Sequence, residues 1–325
     1  MILKKNATIG AGASFTETGT LVIADDSETV AEAGANANTV VGLQGSLRIG
    51  SSNTIAGVAA KKLQMAATAE LHVDIVGTGT GQYDHVAVNG LAELGGSLNL
   101  HFGEVSPGIP FVPAVGQKFS FLSASGGVAG TFSTLSTGAL PEGLGIKINY
   151  LPNSVEAEVI SGDEFELWVH RYPSIGNPAG RLRTADPDHD GLSNLIEFAL
   201  DADPGSSKAS GKVVSKIATV AGETALTLTF PVRGANDSYD TPGGELLVIG
   251  MGSPPLHYKA QGSGDLASFG LDVERVTGAD ATPLQASLPP LSPGWSYVTC
   301  RSAGPLTAGP KKFLRVDVSE GPLPP

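Results

Sequence analysis

The sequence predicts a mainly β protein, on the basis of its composition and two kinds of residue spacing. The chain has 43 glycines and 22 prolines among 325 residues, and only 16% of its residues are charged. Such a composition is typical of chains built from many short strands and turns. Apolar residues alternate with a period of two along most of the chain, and helical spacing is confined to residues 163–200. We therefore expect a β-solenoid over residues 1–160, a helical junction over 161–204 and a β-sandwich over 205–325.

The solenoid is predicted from a short apolar motif that recurs in the first hundred residues. Its copies are led by Leu21, Leu47, Leu71 and Leu98, which are 26, 24 and 27 residues apart. Alternation directs each leucine and the residue two positions later toward the interior. One strand about every 25 residues, with small polar residues between strands, is the signature of a β-solenoid. The alternative is an ordinary β-sandwich with irregularly spaced strands.

Further strands are predicted up to residue 160, at residues 118–122, 145–150 and 154–160. Turns are marked by the pair Gly126-Gly127 and by Pro141. We interpret these strands as the closing portion of the same solenoid.

Three short motifs in this part of the chain suggest a family. They are Gln82-Tyr83-Asp84, Leu94-Gly95-Gly96-Ser97-Leu98 and Gly130-Thr131-Phe132. Over roughly residues 40 to 160 the sequence resembles the C-terminal end of bacterial autotransporter-like surface proteins built of β-strand repeats. The resemblance implies a secreted scaffold and specifies no ligand.

The junction is predicted to contain two short helices. Phe165, Trp168, Val169 and Tyr172 are spaced as on one face of a helix, with acidic residues in its first turn. A second helix is expected at residues 193–200, followed by a linker at 204–207. The sandwich strands are expected at residues 225–230, 245–249, 256–260, 271–276, 295–300 and 313–318.

Between the predicted helices, residues 186–197 fit the pattern D-x-[DN]-x-[DN]-G-x5-E at every constrained position. Calcium takes six to eight oxygen ligands, and this pattern supplies them around a sharp turn at Gly191. The predicted ligands are Asp186, Asp188, Asp190, the carbonyl of Leu192, Asn194 directly or through water, and Glu197. Four carboxylates so close together would repel one another without a cation. We expect one structural Ca²⁺ that fixes the two helices relative to each other; the alternative is a solvated acidic loop.

Residues 186–204 resemble the bacterial thrombospondin type 3-like calcium motif, which is itself similar to EF-hand and dockerin loops. A dockerin carries two such loops, whereas this chain has one complete copy, so paired cohesin docking is not expected. The predicted sandwich resembles the terminal module that follows this motif in the same surface proteins.

Several classes of protein are disfavoured by the composition. A net charge of −12 opposes nucleic-acid binding, and Cys300 alone allows neither an internal disulfide nor a cysteine-rich metal site. No apolar run approaches the roughly 20 residues that span a bilayer. The first residues lack the apolar centre of a signal peptide. Either the protein is cytosolic or the sequence lacks its natural beginning; we expect the second, with an extracellular or cell-surface location.

Catalytic candidates are few. Glu70, His72 and Asp74 alternate outward on one predicted strand, and Asn99 and His101 lie on the next turn. We interpret them as a solvated polar face. We interpret Trp295, Tyr297 and Tyr258, which could stack on sugars, as core residues. The expected function is a non-enzymatic, adhesin-like structural protein with one calcium, whose partners are surface glycans or other surface proteins. The alternative is an extracellular carbohydrate-active or carbohydrate-binding protein.

Overall fold

The computed structural model describes residues 2–3, 7–9, 20–23, 28–31, 40–49, 55–234, 237–240, 244–250, 254–306 and 311–321. Over these residues the chain is mainly β, as predicted. It divides into two compact units, Met1–Pro178 and Ala179–Pro325. No helix among the described residues is both long and apolar enough to cross a bilayer.

The first unit contains three sheets. The first sheet is parallel and has, in spatial order, β1 (Ile2–Leu3), β3 (Thr20–Ile23), β5 (Val40–Leu43), β8 (Lys62–Met65), β11 (Ala92–Leu94) and β16 (Val128–Gly130). The second sheet is parallel and has β17 (Thr134–Thr137), β12 (Ser97–Phe102), β9 (Glu70–Ile75), β6 (Ser46–Ile49), β4 (Glu28–Ala31) and β2 (Ala7–Ile9). The third sheet has β18 (Leu144–Leu151), β19 (Ser154–Ser161), β15 (Lys118–Ala124), β10 (His85–Val88) and β7 (Gly57–Ala60).

From β5 onward the chain visits these three sheets in the same order on successive passes. The order is interrupted once, by a hairpin of β13 (Glu104–Ser106) and β14 (Ile109–Pro110) inserted between β12 and β15. The third sheet is parallel from β7 to β15 and becomes antiparallel at β19 and β18. The three strands predicted between residues 118 and 160 are therefore confirmed.

The buried core of the first unit is organised as columns of residues in register. Leu47, Leu71, Leu98 and Leu135 form one such column in the second sheet, and each is buried. Leu21, which leads the first copy of the sequence motif, lies in the first sheet and is not equivalent to the other three leading leucines. Each pass of the chain contributes one strand to each of the three sheets. A strand that follows the leucine spacing of about 25 residues can therefore belong to a different sheet.

The predicted helix at residues 163–172 is confirmed as α1 (Glu164–Val169). Asp163 caps it by accepting from the backbone N–H of Glu166, whose side chain accepts from the N–H of Asp163. Phe165, Trp168 and Val169 form its buried face.

The second unit contains two antiparallel sheets. One has, in spatial order, β20 (Val214–Val220), β21 (Glu223–Arg233), β26 (Trp295–Ser302) and β25 (Val273–Val276). The other has β22 (Asp237–Asp240), β23 (Leu246–Gly250), β24 (Leu256–Ser263) and β27 (Phe313–Glu320). Phe230 of the first sheet and Tyr258 of the second are fully buried, with ring centroids 6.2 Å apart, so the two sheets share a core.

The helices of the second unit are α2 (Asn194–Ala199) and α3 (Gly278–Gln285), and a 3₁₀ helix runs from Pro178 to Arg181. The six strands predicted here and the helix at residues 193–200 are confirmed. Strands β20 and β22 and helix α3 were not predicted. Helix α3 begins at Gly278, contains Pro283 and buries only Ala281, so it lacks the apolar period by which a helix is recognised.

Candidate metal centre

The acidic loop predicted to bind calcium lies in the second unit, between the 3₁₀ helix and α2. Its backbone N–H groups donate to the carboxylates of the same loop, which holds it in a turn. Asp186 accepts from the N–H of Gly191 at 3.0 Å, and Asp190 accepts from the N–H of Leu192 at 2.7 Å. Gly191 has a φ of 93°, a conformation that strongly favours glycine. The residues of the predicted pattern therefore form a loop in which backbone N–H groups donate to the aspartate side chains.

Three of the predicted ligands are brought together by this loop. Asp186, Asp188 and Asp190 each place a carboxylate oxygen within 4.8 Å of the other two. The pKa of Asp188 is raised by burial and then by the charges of Asp190 and Asp186. The pKa of Asp186 is lowered although burial acts against this, because backbone N–H groups, that of Gly191 first, donate to it. The aspartates thus concentrate negative charge that an added cation would neutralise.

Glu197 and Asn194 lie outside this group of three but are the most buried of the predicted ligands, with 1% and 0% of their surface exposed. The amide nitrogen of Asn194 donates to the carbonyls of Gly180 and Leu182, at 2.8 Å each. Burial raises the pKa of Glu197 to about 8, and the charges of Asp188, Asp190, Asp203 and Asp186 add to the effect. Glu197 therefore lies within the electrostatic influence of the aspartate group.

Four acceptor oxygens of the predicted ligands are buried and have no hydrogen-bond donor among the described residues. They are Asp186 Oδ1, Asp188 Oδ2, Asn194 Oδ1 and Glu197 Oε2. A buried acceptor without a donor costs about 1–3 kcal/mol. All four come from one twelve-residue motif, so these oxygens are available to a ligand that accepts electron pairs, such as a cation.

Contacts at three residues, Arg183, Ala199 and Asp201, join the loop and α2 to other parts of the second unit. Before the loop, Arg183 Nε donates to Glu320 Oε2 at 2.6 Å. At the end of α2, the carbonyl of Ala199 accepts from the Tyr258 hydroxyl at 3.0 Å and from Trp295 Nε1 at 3.1 Å. Sequence reasoning missed these partners because they are 59 to 137 residues away along the chain.

The third contact lies just beyond α2. Asp201 Oδ2 accepts from Lys212 Nζ at 2.6 Å and from the N–H of Ser292 at 2.8 Å. The sequence led us to expect an ion that orients the Trp168 helix against the Leu195 helix. The structure assigns α1 to the first unit and α2 to the second, and these contacts are made within the second. Through these contacts the loop and α2 are attached directly to the rest of the second unit.

The aromatic residues considered for sugar stacking belong to this same framework. Tyr258 is fully buried, and the ring of Trp295 packs edge-on against Phe198 of α2 with centroids 6.1 Å apart. The Arg233 guanidinium lies 4.6 Å from the centroid of the Trp295 ring. The Tyr297 hydroxyl donates to the carbonyl of Pro289 at 2.8 Å. All three rings therefore have structural contacts.

The other predicted polar face lies in the first unit, on the second sheet. His72 and Asp74 of β9 and His101 of β12 do come together there, and Arg48 of β6 joins them. Asn99 is the register partner of His72. Arg48 was not predicted as part of this face, although it stands at the outward position of the repeated motif.

The loop of residues 186–197 is suited to a hard divalent cation, because all of its predicted ligands are oxygen atoms. The histidine-containing face combines nitrogen donors with a guanidinium and is a different kind of site. No protein-family model matches the chain, and no curated protein matches its sequence.

Proposed function

We propose that residues 186–197 bind one Ca²⁺ and that this ion stabilises the second unit. The observation that carries the proposal is the set of four buried acceptor oxygens without donors, on Asp186, Asp188, Asn194 and Glu197. Asp190 and the carbonyl of Leu192 would complete an all-oxygen ligand set. Calcium accepts six to eight oxygens in flexible geometry, whereas magnesium demands near-ideal octahedral geometry and retains its water.

The stabilisation follows from linkage. A ligand that binds only the folded state adds RT ln(1 + [L]/Kd), which is about 2.7 kcal/mol at a hundredfold excess over Kd. For a unit of this size we expect the melting midpoint to rise by on the order of 5–10 °C. Extracellular calcium modules have dissociation constants of roughly 10⁻⁴ to 10⁻³ M, so millimolar calcium is the appropriate test concentration.

The decisive experiment compares Glu197→Gln with Glu223→Gln, an exposed glutamate of the same unit. Isothermal titration with Ca²⁺ and melting in calcium or in chelator are measured for both variants and for the unchanged protein. We expect Glu197→Gln to lose the heat of binding and the calcium-dependent shift, and Glu223→Gln to keep both. Mg²⁺ at the same concentration should give a smaller shift. An unchanged midpoint on chelation of the wild-type protein would refute the structural role.

We further infer that the first unit is a β-solenoid and that the second is a β-sandwich. The inference of a solenoid is supported by the repeated order in which the chain visits three sheets and by the leucine column of the second sheet. The inference of a sandwich is supported by the core that two antiparallel sheets share at Phe230 and Tyr258.

For the whole protein we propose a non-enzymatic structural or adhesin-like role outside the cell, with surface glycans or surface proteins as partners. The proposal is supported by the repeat architecture, the acidic balance and a calcium loop suited to extracellular concentrations. A glycan array probed in calcium and in chelator, together with a cleavage screen on acidic polysaccharides, tests it. Cleavage that is lost in His72→Gln and Asp74→Asn variants would overturn it in favour of a carbohydrate-active enzyme.

A further inference from the structure

The outward face of the second sheet carries a cluster of ionisable side chains that the calcium proposal does not use. It consists of Arg48 on β6, His72 and Asp74 on β9, and His101 on β12; we call it the histidine cluster. Arg48 Nη2 lies 3.3 Å from His72 Nδ1 and 3.3 Å from His101 Nε2. The two imidazole nitrogens are themselves 3.1 Å apart, and their rings are parallel within 2°. Three strands from successive passes therefore meet at one hydrogen-bonded point.

The hydrogen-bond donors of Arg48 determine which protonation states of His72 and His101 are compatible with the cluster. A guanidinium can only donate, so each imidazole nitrogen that faces Arg48 Nη2 is best used as an acceptor. On its other side, His72 Nε2 lies 3.4 Å from Glu70 Oε2, where it donates to the carboxylate. With Nε2 protonated, a neutral His72 has its lone pair on Nδ1, which can accept from Arg48. A second proton on His72 would remove that lone pair.

The surrounding charges and the limited exposure strengthen this requirement. The side chains of Arg48 and His72 are only 17% and 14% exposed. Arg48 Nη1 also donates to Asp74 Oδ1 at 3.3 Å, so its guanidinium is held in place. The pKa of His101 is lowered by burial first and then by the positive charge of Arg48; Asp74 opposes the change and His72 adds to it.

Buried Asp84, just before β10, completes the set of titratable groups near the cluster. Its carboxylate accepts from the backbone N–H of Asp74 at 2.7 Å, and its electrostatic partners are Asp74 and Arg48. The acids that face the histidines are thus Glu70 and Asp74, with Asp84 behind them. Arg48 is the cation between the two rings.

We propose that the histidine cluster is a pH-sensitive set of contacts that joins β6, β9 and β12 only while both imidazoles are neutral. Protonation of either ring puts an N–H and a positive charge against the Arg48 guanidinium. The contacts of Arg48 with the two histidines then break, and the three strands lose the side-chain contact that they share. This regulation is separate from the calcium loop, which lies in the second unit.

Histidine side-chain NMR of the intact chain tests the proposal directly. We expect His101 to titrate below its ordinary value of 6.5 and its titration curve to depend on that of His72. The Arg48→Gln variant keeps a donor and removes the charge, so it should raise the midpoint of His101. Arg48→Lys keeps the charge and should leave the midpoint low. His85→Gln, which alters a histidine of the third sheet, is the matched control and should change neither curve.

Amide hydrogen exchange at β9 and β12 gives a second readout, taken as the difference between the wild type and Arg48→Gln so that the opposite contribution of Asp84 cancels. After correction for intrinsic rates, the rise in the open fraction between pH 7.5 and pH 5 should be larger in the wild type, by about tenfold for each pKa unit by which the midpoint of His101 is lower than in the variant. Amides of β26 in the second unit serve as an internal reference. The proposal is overturned if His101 titrates at or above 6.5, if Arg48→Gln leaves its midpoint unchanged, or if exchange in β9 and β12 rises on acidification as much in Arg48→Gln as in the wild type.

Discussion

Asp84 shows how one buried carboxyl can make stability depend on pH. It is fully buried and accepts from the N–H of Ala56 at 2.8 Å and of Asp74 at 2.7 Å, so it ties the chain to two preceding segments. Burial raises its pKa from 3.8 to about 7, the two backbone donors oppose this, and Asp74 adds to it. Asp84 of the motif Gln82-Tyr83-Asp84 therefore has a structural role in this chain.

The sign of the resulting pH dependence is fixed by the direction of that change. Between 3.8 and about 7 the folded chain holds a proton at Asp84 that the unfolded chain releases. The stabilisation is therefore complete below the unfolded pKa and is lost as the pH rises through about 7. The histidine cluster acts in the opposite direction, so each contribution has to be read as a difference between variant and wild type.

We expect Asp84→Asn to cost about 1–3 kcal/mol, because an amide has one acceptor oxygen for two backbone donors. The same variant should lose the fall in stability between pH 4.5 and pH 8. Urea unfolding at several pH values measures both effects. Glu142→Gln, at an exposed acid of the first unit, is the control and should leave the profile unchanged. A variant profile parallel to the wild-type one would show that Asp84 does not titrate in this range.

At the scale of an element, the turn before β12 depends on a close approach of two backbone segments. Gly96 has a φ of 65°, and a Cβ at this position would overlap the backbone of Ala69 in the preceding pass. Gly81 has a φ of 82° but no atom within 4 Å of its Cβ position. Both glycines have a left-handed backbone conformation, but only at Gly96 would an added Cβ collide with a neighbouring segment.

Substitution of both glycines separates these two costs. Gly81→Ala should lose about 1–2 kcal/mol through the left-handed backbone alone. Gly96→Ala adds overpacking against Ala69 and should lose about 2–5 kcal/mol. The free energy of unfolding in urea measures the difference. Equal losses would mean that the passes are not packed as closely at this turn as the structure shows.

Local signals explain which elements could be predicted from the sequence. The caps and apolar face of α1, the alternating strands and the full calcium pattern are each contained within about a dozen residues, the reach of such pattern rules. Leu135 escaped prediction because the inserted hairpin separates the register pairs of β12 and β17 by 37 residues. Arg48 escaped because its partners are on other passes, 24 to 53 residues away. Contacts between passes depend on register, which spacing alone does not determine.

For the molecule as a whole, the loop proposed to bind calcium, residues 186–197, and the histidine cluster belong to different units. The loop is tied to the core of the second unit through Ala199, whose carbonyl is bound by Tyr258 and Trp295. The chain has two tryptophans, Trp168 in the first unit and Trp295 in the second. Each unit therefore has its own fluorescent reporter, and the reporter of the second unit touches the helix that the calcium loop leads into.

Variants with a single tryptophan convert this arrangement into a test of where calcium acts. In Trp168→Phe, emission from Trp295 should follow the urea transition of the second unit, and millimolar Ca²⁺ should stabilise that transition by about 2–3 kcal/mol. Adding Glu197→Gln should abolish the shift, because it removes a buried carboxylate ligand from the loop. Trp295→Phe, which leaves Trp168, provides the comparison. A calcium-dependent shift reported by Trp168 and not by Trp295 would place the effect of the ion in the first unit and contradict the path through α2.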